Sequence, residues 1–131
     1  MNPDVGICVE VDFATDQPDV EKKHNGEVDL GKGPILTRGA NINPRLFELL
    51  STTAEKEKIA VQHTANPRAT GTDANVMQIS RGGVATALVK IPLRYMHTPI
   101  ETVSLSDLEN AAKLIVAVLE QISSRDEFVP K

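Results

Sequence analysis

"VATALVKIPLRYMHTPIE", residues 84–101, is an apolar run that passes straight into a polar loop. Valine, alanine, leucine and isoleucine fill positions 84–91, with only Thr86 and Lys90 between them. An apolar run without strict alternation is the pattern of a strand covered on both faces. Such a strand belongs in a sheet with helices packed against it, so the segment predicts an α/β fold. The loop that follows gathers Arg94, Tyr95, His97 and Glu101, bracketed by Pro92 and Pro99. A solvated turn accounts for those side chains. A ligand or base at the open end of a sheet is the sharper reading, and both stand at this point.

Outward from that strand, the rest of the chain alternates in the same way. "VGICVEV", residues 5–11, is a second nearly continuous apolar run and predicts another strand covered on both faces. Residues 17–33 are polar and rich in turn formers, which predicts a loop with room for a hairpin edge. "PILTRG", residues 34–39, and "IAVQHTA", residues 59–65, predict two shorter strands. Between them Asn43 reads as a helix N-cap with Pro44 at the first helical position. That helix is expected to run to about Lys58, with Leu46, Phe47, Leu49, Leu50 and Ala54 on its apolar face. Thr72 is expected to cap a short helix that buries Val76, Met77 and Ile79 and stops near Gly82. Downstream, "SDLE" at 106–109 has the spacing of a capping box. Leu108, Ala111, Ala112, Ile115, Leu119 and Ile122 follow it at helical spacing. The expected architecture is a sheet with helices packed on its faces, in one domain without internal repeats.

The chain has 131 residues, enough for a single core. At that size about two-thirds of the unfolded surface leaves water on folding. A formal charge of −4 supplies no basic footprint for nucleic acid. No apolar run approaches the ~18 residues of a membrane span, and the first residues lack the basic region of a signal peptide. Cys8, the one cysteine, lies inside an apolar run. It is expected to be a buried structural thiol in a reducing compartment rather than a reactive one. These features together predict a cytoplasmic protein with no nucleic-acid or membrane partner.

Ligand sites of open α/β sheets collect beyond the carboxyl ends of the strands. One predicted strand runs into Glu10 and Asp12, another into Arg94, Tyr95 and His97. A carboxylate and an imidazole at adjacent strand ends can share a metal or serve as acid and base. A carboxylate at the end of a buried run must be paired, ligated or reach solvent, because burying it alone costs several kcal/mol. For Glu10, function and structure are therefore both open on pattern alone.

Four segments then narrow the reading. "EVDFATDQP" (10–18), "LGKGP" (30–34), "GTDA" (71–74) and "IPLRYMHTPIE" (91–101) occur in that order. Together they resemble the C-terminal part of the glutamyl aminopeptidase and tetrahedral aminopeptidase family, some of whose members are called cellulase M or endoglucanase. The resemblance covers essentially the whole chain. It implies an α/β fold, a mixed sheet with helices on both faces, as a partial zinc-peptidase (phosphorylase/hydrolase-like) catalytic domain that removes N-terminal residues from peptides. It also implies two divalent metal ions in the complete enzyme, zinc or cobalt with manganese as a further candidate. A smaller inserted domain serves assembly in that family, so a homo-oligomer is implied for the full-length protein.

Residue by residue, the family's strand-end metal carboxylate falls on Glu10, eight residues before Pro18, and not on Asp12 or Asp16. Its last metal ligand, the histidine of the "RY-x-H" segment, falls on His97. Asp73, Arg94, Tyr95 and Glu101 are candidates to support these ligands or touch substrate. For Arg94 the structural alternative is an ion pair, for Tyr95 packing, and for Asp73 placement in a first helical turn. Asp16 matches a family position without an assignable chemistry, and His24 and His63 lie in no motif. The family's His-x-Asp pair, bridging Asp and Glu-Glu pair, which includes the general base, have no counterpart in this sequence. They are expected upstream of Met1, together with the assembly domain. Glu10 and His97 serve different ions in the family, so each ion keeps one ligand here. The isolated chain is therefore expected to be inactive and to bind metal weakly or not at all. The alternative is a stand-alone non-catalytic remnant acting as a scaffold or interaction domain.

Overall fold

The computed structural model describes residues 3–123 and residue 128. In chain order the elements are β1 (Val5–Phe13), α1 (Lys22–Asn25), β2 (Ile35–Gly39), α2 (Pro44–Lys56) and β3 (Gln62–Asn66). They continue as α3 (Ala74–Met77), β4 (Ala85–Arg94), β5 (Thr102–Val103) and α4 (Leu105–Leu119). The sheet order is β1-β4-β2-β3, with β5 also paired to β4. β1 runs parallel to β4 from Val5↔Ala85 to Phe13↔Leu93. β2 and β3 are parallel to each other, while β2 is antiparallel to β4. The sheet is therefore mixed, as expected.

Alternation along the strands divides the core in two. Ala87, Val89 and Ile91 pack with Leu46, Leu50, Ala54, Ala111, Leu114 and Val118, so α2 and α4 cover one face. Cys8 and Leu88 pack with Ile42 and Ala74 on the other face, where α3 sits. Asn43 caps α2 as its sequence predicts, accepting from the Arg45 and Leu46 backbone N–H at 3.0 and 3.1 Å. A cap of this kind is worth about 1 kcal/mol.

Several expectations are corrected by the packing. Residues 17–33 hold the single helical turn α1 and no strand. α3 buries Ala74 and packs Met77, one turn apart, which turns Val76 and Ile79 outward to solvent. β1 is covered fully on neither side along its length: Val9, Val11 and Phe13 are exposed. α4 begins after Ser104 rather than Ser106, and its buried row is Asp107, Ala111, Leu114 and Val118. Leu108 and Leu119, expected inside, lie outside. Both rows have helical spacing, so periodicity alone finds two candidates and cannot choose between them.

β4 is longer than its apolar run and carries the buried Pro92 inside it. Leu93 C=O accepts from Ala14 N–H at 2.9 Å, so the Leu93 backbone faces β1. By alternation the Pro92 nitrogen faces the opposite edge. There it falls between β2, paired at Val89 and Lys90, and β5, paired at Leu93 and Arg94. A residue without an N–H is tolerated at such a gap in the ladder.

Candidate functional site

Because β1 and β4 are parallel and in register, their carboxyl ends reach the same edge of the sheet. Glu10 lies opposite Lys90, on the face that carries Cys8 and Asp12. His97 follows Arg94 in the connection between the antiparallel pair β4 and β5, at residues 95–101. Glu10 stands three residues short of the end of β1, and His97 lies in the loop that leaves the end of the neighbouring β4.

The carboxylates near the end of β1 differ in what they touch. Asp12 forms an ion pair with the Lys90 ammonium, whose side chain is almost fully buried. Asp16 takes the Arg94 guanidinium, with Nε–H donating to Oδ1 at 3.0 Å and a second N–H to Oδ2. Asp16 Oδ2 also accepts from the Leu30 backbone N–H at 3.1 Å. The Arg94 hydrogen bond holds the Asp16 carboxyl below its ordinary range. Glu10 is half-buried and has no hydrogen bond or ion pair among the described residues. A partly desolvated carboxylate with free lone pairs is poised to accept a cation.

The loop bearing His97 is tightly built. Tyr95 and His97 both adopt left-handed backbone, with φ of 58° and 64°. Non-glycine residues hold that conformation when their surroundings determine it. Here Gln17 Oε1 accepts from Tyr95 N–H at 2.9 Å, and Thr98 Oγ1–H donates to Tyr95 C=O at 2.6 Å. Glu101 Oε1 accepts from the His97 backbone N–H at 2.6 Å. Glu101 therefore orders the loop through the main chain and not through the imidazole. The imidazole itself has no partner among the described residues and is exposed. The Tyr95 hydroxyl makes no hydrogen bond there either.

Asp73 precedes α3, and its side chain caps nothing. It stands beside Cys8, whose thiol is pushed up chiefly by burial and further by the Glu10 and Asp73 carboxylates. Cys8 is free and buried, in keeping with an inert thiol. His63 contacts Ser51 Oγ at 3.1 Å and sets its ring edge-on to Phe47, and His24 lies near Glu21. Neither histidine approaches the site through these contacts.

Two residues matter here that the sequence left without a role or assigned elsewhere. Asp16 is one, joined to Arg94 by a separation of 78 residues. Asp107 is the other: fully buried, it accepts from Gly31 N–H and Gly33 N–H, both at 2.8 Å. Asp16 and Asp107 thus grip the 30–33 loop from both sides, and Gln62 Nε2–H ties it again to Gly33 C=O at 2.9 Å. No local pattern signals contacts of this range.

A cavity of about 430 Å³ opens at the opposite end of the sheet, lined by Asn41, Asn43, Thr86 and Phe128 among others. Asn41 is spent on Thr70 and Asn43 on Phe128 C=O. Among the described residues no helix is long and apolar enough to cross a membrane, and no three His, Cys, Asp or Glu side chains are grouped to hold an ion.

A mixed sheet with helices on both faces and polar side chains at one strand edge is the class of α/β domain found in peptidases. The chain belongs to the M42 glutamyl aminopeptidase family, whose model matches residues 1–114. It is 47% identical over 130 residues to the lysyl aminopeptidase of Pyrococcus furiosus, covering 99% of this chain and 36% of that protein. It also resembles a TET aminopeptidase from a marine-sediment Thaumarchaeota archaeon, with a TM-score of 0.87 and 30% identity over 97% of this chain and 36% of that one. A TET peptidase of Pyrococcus horikoshii that can assemble into a tetrahedron or a large octahedral shell is similar with a TM-score of 0.63 and 28% identity, over 86% and 32% of the two chains. This chain thus spans about a third of the length of these relatives.

Proposed function

We propose that this chain is the carboxyl-terminal portion of a dinuclear metalloaminopeptidase, with Glu10 and His97 as ligands to different ions of the pair. One observation carries the reading: of Glu10, Asp12 and Asp16, only Glu10 is left without a partner among the described residues. The exposed, unpartnered His97 imidazole is its counterpart on the neighbouring strand end.

Both side chains fit a divalent zinc, cobalt or manganese ion in donor chemistry. Two donors fall short of the three or four that one zinc site uses. The remaining ligands, the general base and the inserted assembly domain belong to the part of the family's length that this chain does not span. When bound, the metal pair supplies Lewis-acid activation of water and of the peptide carbonyl. The residues of this chain present and orient. Asp16 and Gln17 hold the Arg94–Tyr95 corner, Glu101 holds the His97 backbone, and Asp12 neutralises Lys90 beside Glu10. The substrate is the amino-terminal end of a peptide. We further assign the complete protein to the cytoplasm and to a homo-oligomer, the latter supported by the assembly of the Pyrococcus horikoshii relative.

A non-catalytic scaffold is the second reading, favoured by the lack of any three-donor group among the described residues. One experiment decides between them. In a full-length protein carrying this segment, His97→Ala should lower the occupancy of one metal of the pair and remove most aminopeptidase turnover, with the fold intact. His63→Ala is the control and should be nearly silent. Full metal content and near-normal turnover in His97→Ala would overturn the ligand role.

A further inference from the structure

Lys90 is a buried cation set between two carboxylates. It lies directly opposite Glu10 in the β1–β4 register, and Asp12 follows Glu10 by two residues on the same face of β1. One such step along a strand is about 6.6 Å. The Lys90 side chain is 9% exposed, and its ammonium leans forward to Asp12, which is 32% exposed. Glu10 is the carboxylate that the register brings beside Lys90, yet it makes no ion pair among the described residues.

A flexible four-carbon stem lets a lysine ammonium choose among the carboxylates within its reach. An ammonium left buried and alone is strongly destabilising, so Lys90 must hold one of the two. Asp12 is the one it holds. Asp73, the other acidic residue near this face, stands beside Cys8, a full strand step behind Glu10 and further from Lys90 in the register.

We infer that Asp12 is a positioning residue for the metal site: by keeping the Lys90 ammonium it holds Glu10 open to a cation, and when Asp12 is lost Lys90 turns back onto Glu10 and closes it. The inference rests on the ligand role proposed above for Glu10 and adds to it a task for Asp12, which touches no ion itself. An ammonium and a metal ion repel each other and compete for the same oxygens, so the lysine-bound and metal-bound states of Glu10 exclude each other. Asp12 also cancels the Lys90 charge, which would otherwise stand uncompensated beside an incoming divalent cation.

Two measurements test this in a full-length protein carrying the segment. The first is made with the metal stripped by chelator and reads the melting temperature. Glu10→Gln alone should lower it little and Asp12→Asn moderately, because Glu10 takes over Lys90. The double variant should lose more than the sum of the two, because Lys90 then has no carboxylate, and adding Lys90→Met should abolish the excess. Additive losses would overturn the inference. An Asp12→Asn protein that fails to fold with Glu10 intact would overturn it too, since Glu10 would then be no alternative partner.

The second measurement is calorimetric titration with zinc or cobalt. Asp12→Asn should weaken one site of the pair at least about tenfold, because the ion must displace a largely buried ammonium from Glu10. Asp12→Glu, which keeps a carboxylate for Lys90, should bind nearly as the unsubstituted protein does. Asp12→Asn combined with Lys90→Met should recover the affinity, an outcome that a merely structural role of Asp12 does not give. A loss that persisted in that combination would overturn the part assigned to Lys90. Non-additive melting without metal binding by the unsubstituted protein would leave the exchange of Lys90 between the two carboxylates standing and count against the metallopeptidase reading alone.

Discussion

Asp16 and Arg94, 78 residues apart in sequence, are joined by two hydrogen bonds from one guanidinium to one carboxylate. That pair ties the chain leaving β1 to the last residue of β4, immediately before the loop that carries His97. Bidentate pairing fixes orientation as well as distance. The corner from which the His97 loop departs is thereby held in place.

The pair has a pH signature. Arg94 depresses the Asp16 pKa, so its contribution to stability is present above the ordinary carboxylate value and is lost as pH falls through the depressed one. Asp16→Asn should therefore lower the urea midpoint at neutral pH. The gap to the unsubstituted protein should close in acid, below the usual carboxylate range. A gap that stayed constant down to the most acid conditions would assign the loss to something other than the ion pair.

Asp12 and Glu10 should separate structure from metal binding. Asp12→Ala leaves the buried Lys90 ammonium without its partner. Asp12 is partly solvated, so the expected cost is about 1–3 kcal/mol in denaturant unfolding, less than for a fully buried pair. Glu10→Ala removes a carboxylate with no partner among the described residues and should barely alter stability. In the full-length protein Glu10→Ala should lower metal content instead, measured by elemental analysis. Reversal of that pattern would place the ligand on Asp12.

The 30–33 loop should be intolerant of change. Asp107→Ala strips acceptors from two backbone N–H groups, one of them buried, at an expected cost of about 2–4 kcal/mol. Gly33 has φ of 95°, and a Cβ there would stand 1.9 Å from Ala60 C=O. Gly33→Ala should lower the melting temperature sharply or prevent soluble expression. Gly71→Ala, where a Cβ meets nothing within 4 Å, is the matched control and should melt normally.

The 131-residue chain on its own should not hydrolyse peptides. Two-metal catalysis needs water held between the ions and a base to take its proton. Purified chain incubated with zinc, cobalt or manganese and a panel of aminoacyl-anilides should match the metal-only blank. Turnover above that blank, abolished by Glu10→Ala, would reveal a complete site within these residues.

The sequence alone determined the elements whose chemistry is local. Asn43–Pro44 set the start of α2 because a cap and a fixed φ act within one turn. The apolar run at 84–91, interrupted only by Thr86 and Lys90, identified a buried central strand because a strand covered on both faces has no polar side to show. The four family segments singled out Glu10 and His97 as candidate ligands because order and spacing along a chain are one-dimensional facts. Tertiary structure decided what depends on partners from elsewhere. Only the β1–β4 register could pair Asp12 with Lys90 and Asp16 with Arg94, leaving Glu10 free among three neighbouring carboxylates. Only packing could choose between the two apolar rows of α4, since both satisfy the same period. Asp107, which the sequence offered as part of a helix cap, spends both oxygens on glycines more than seventy residues away. A carboxylate accepts from whichever buried N–H the fold brings to it, and contacts of that range leave no trace in the sequence around either partner.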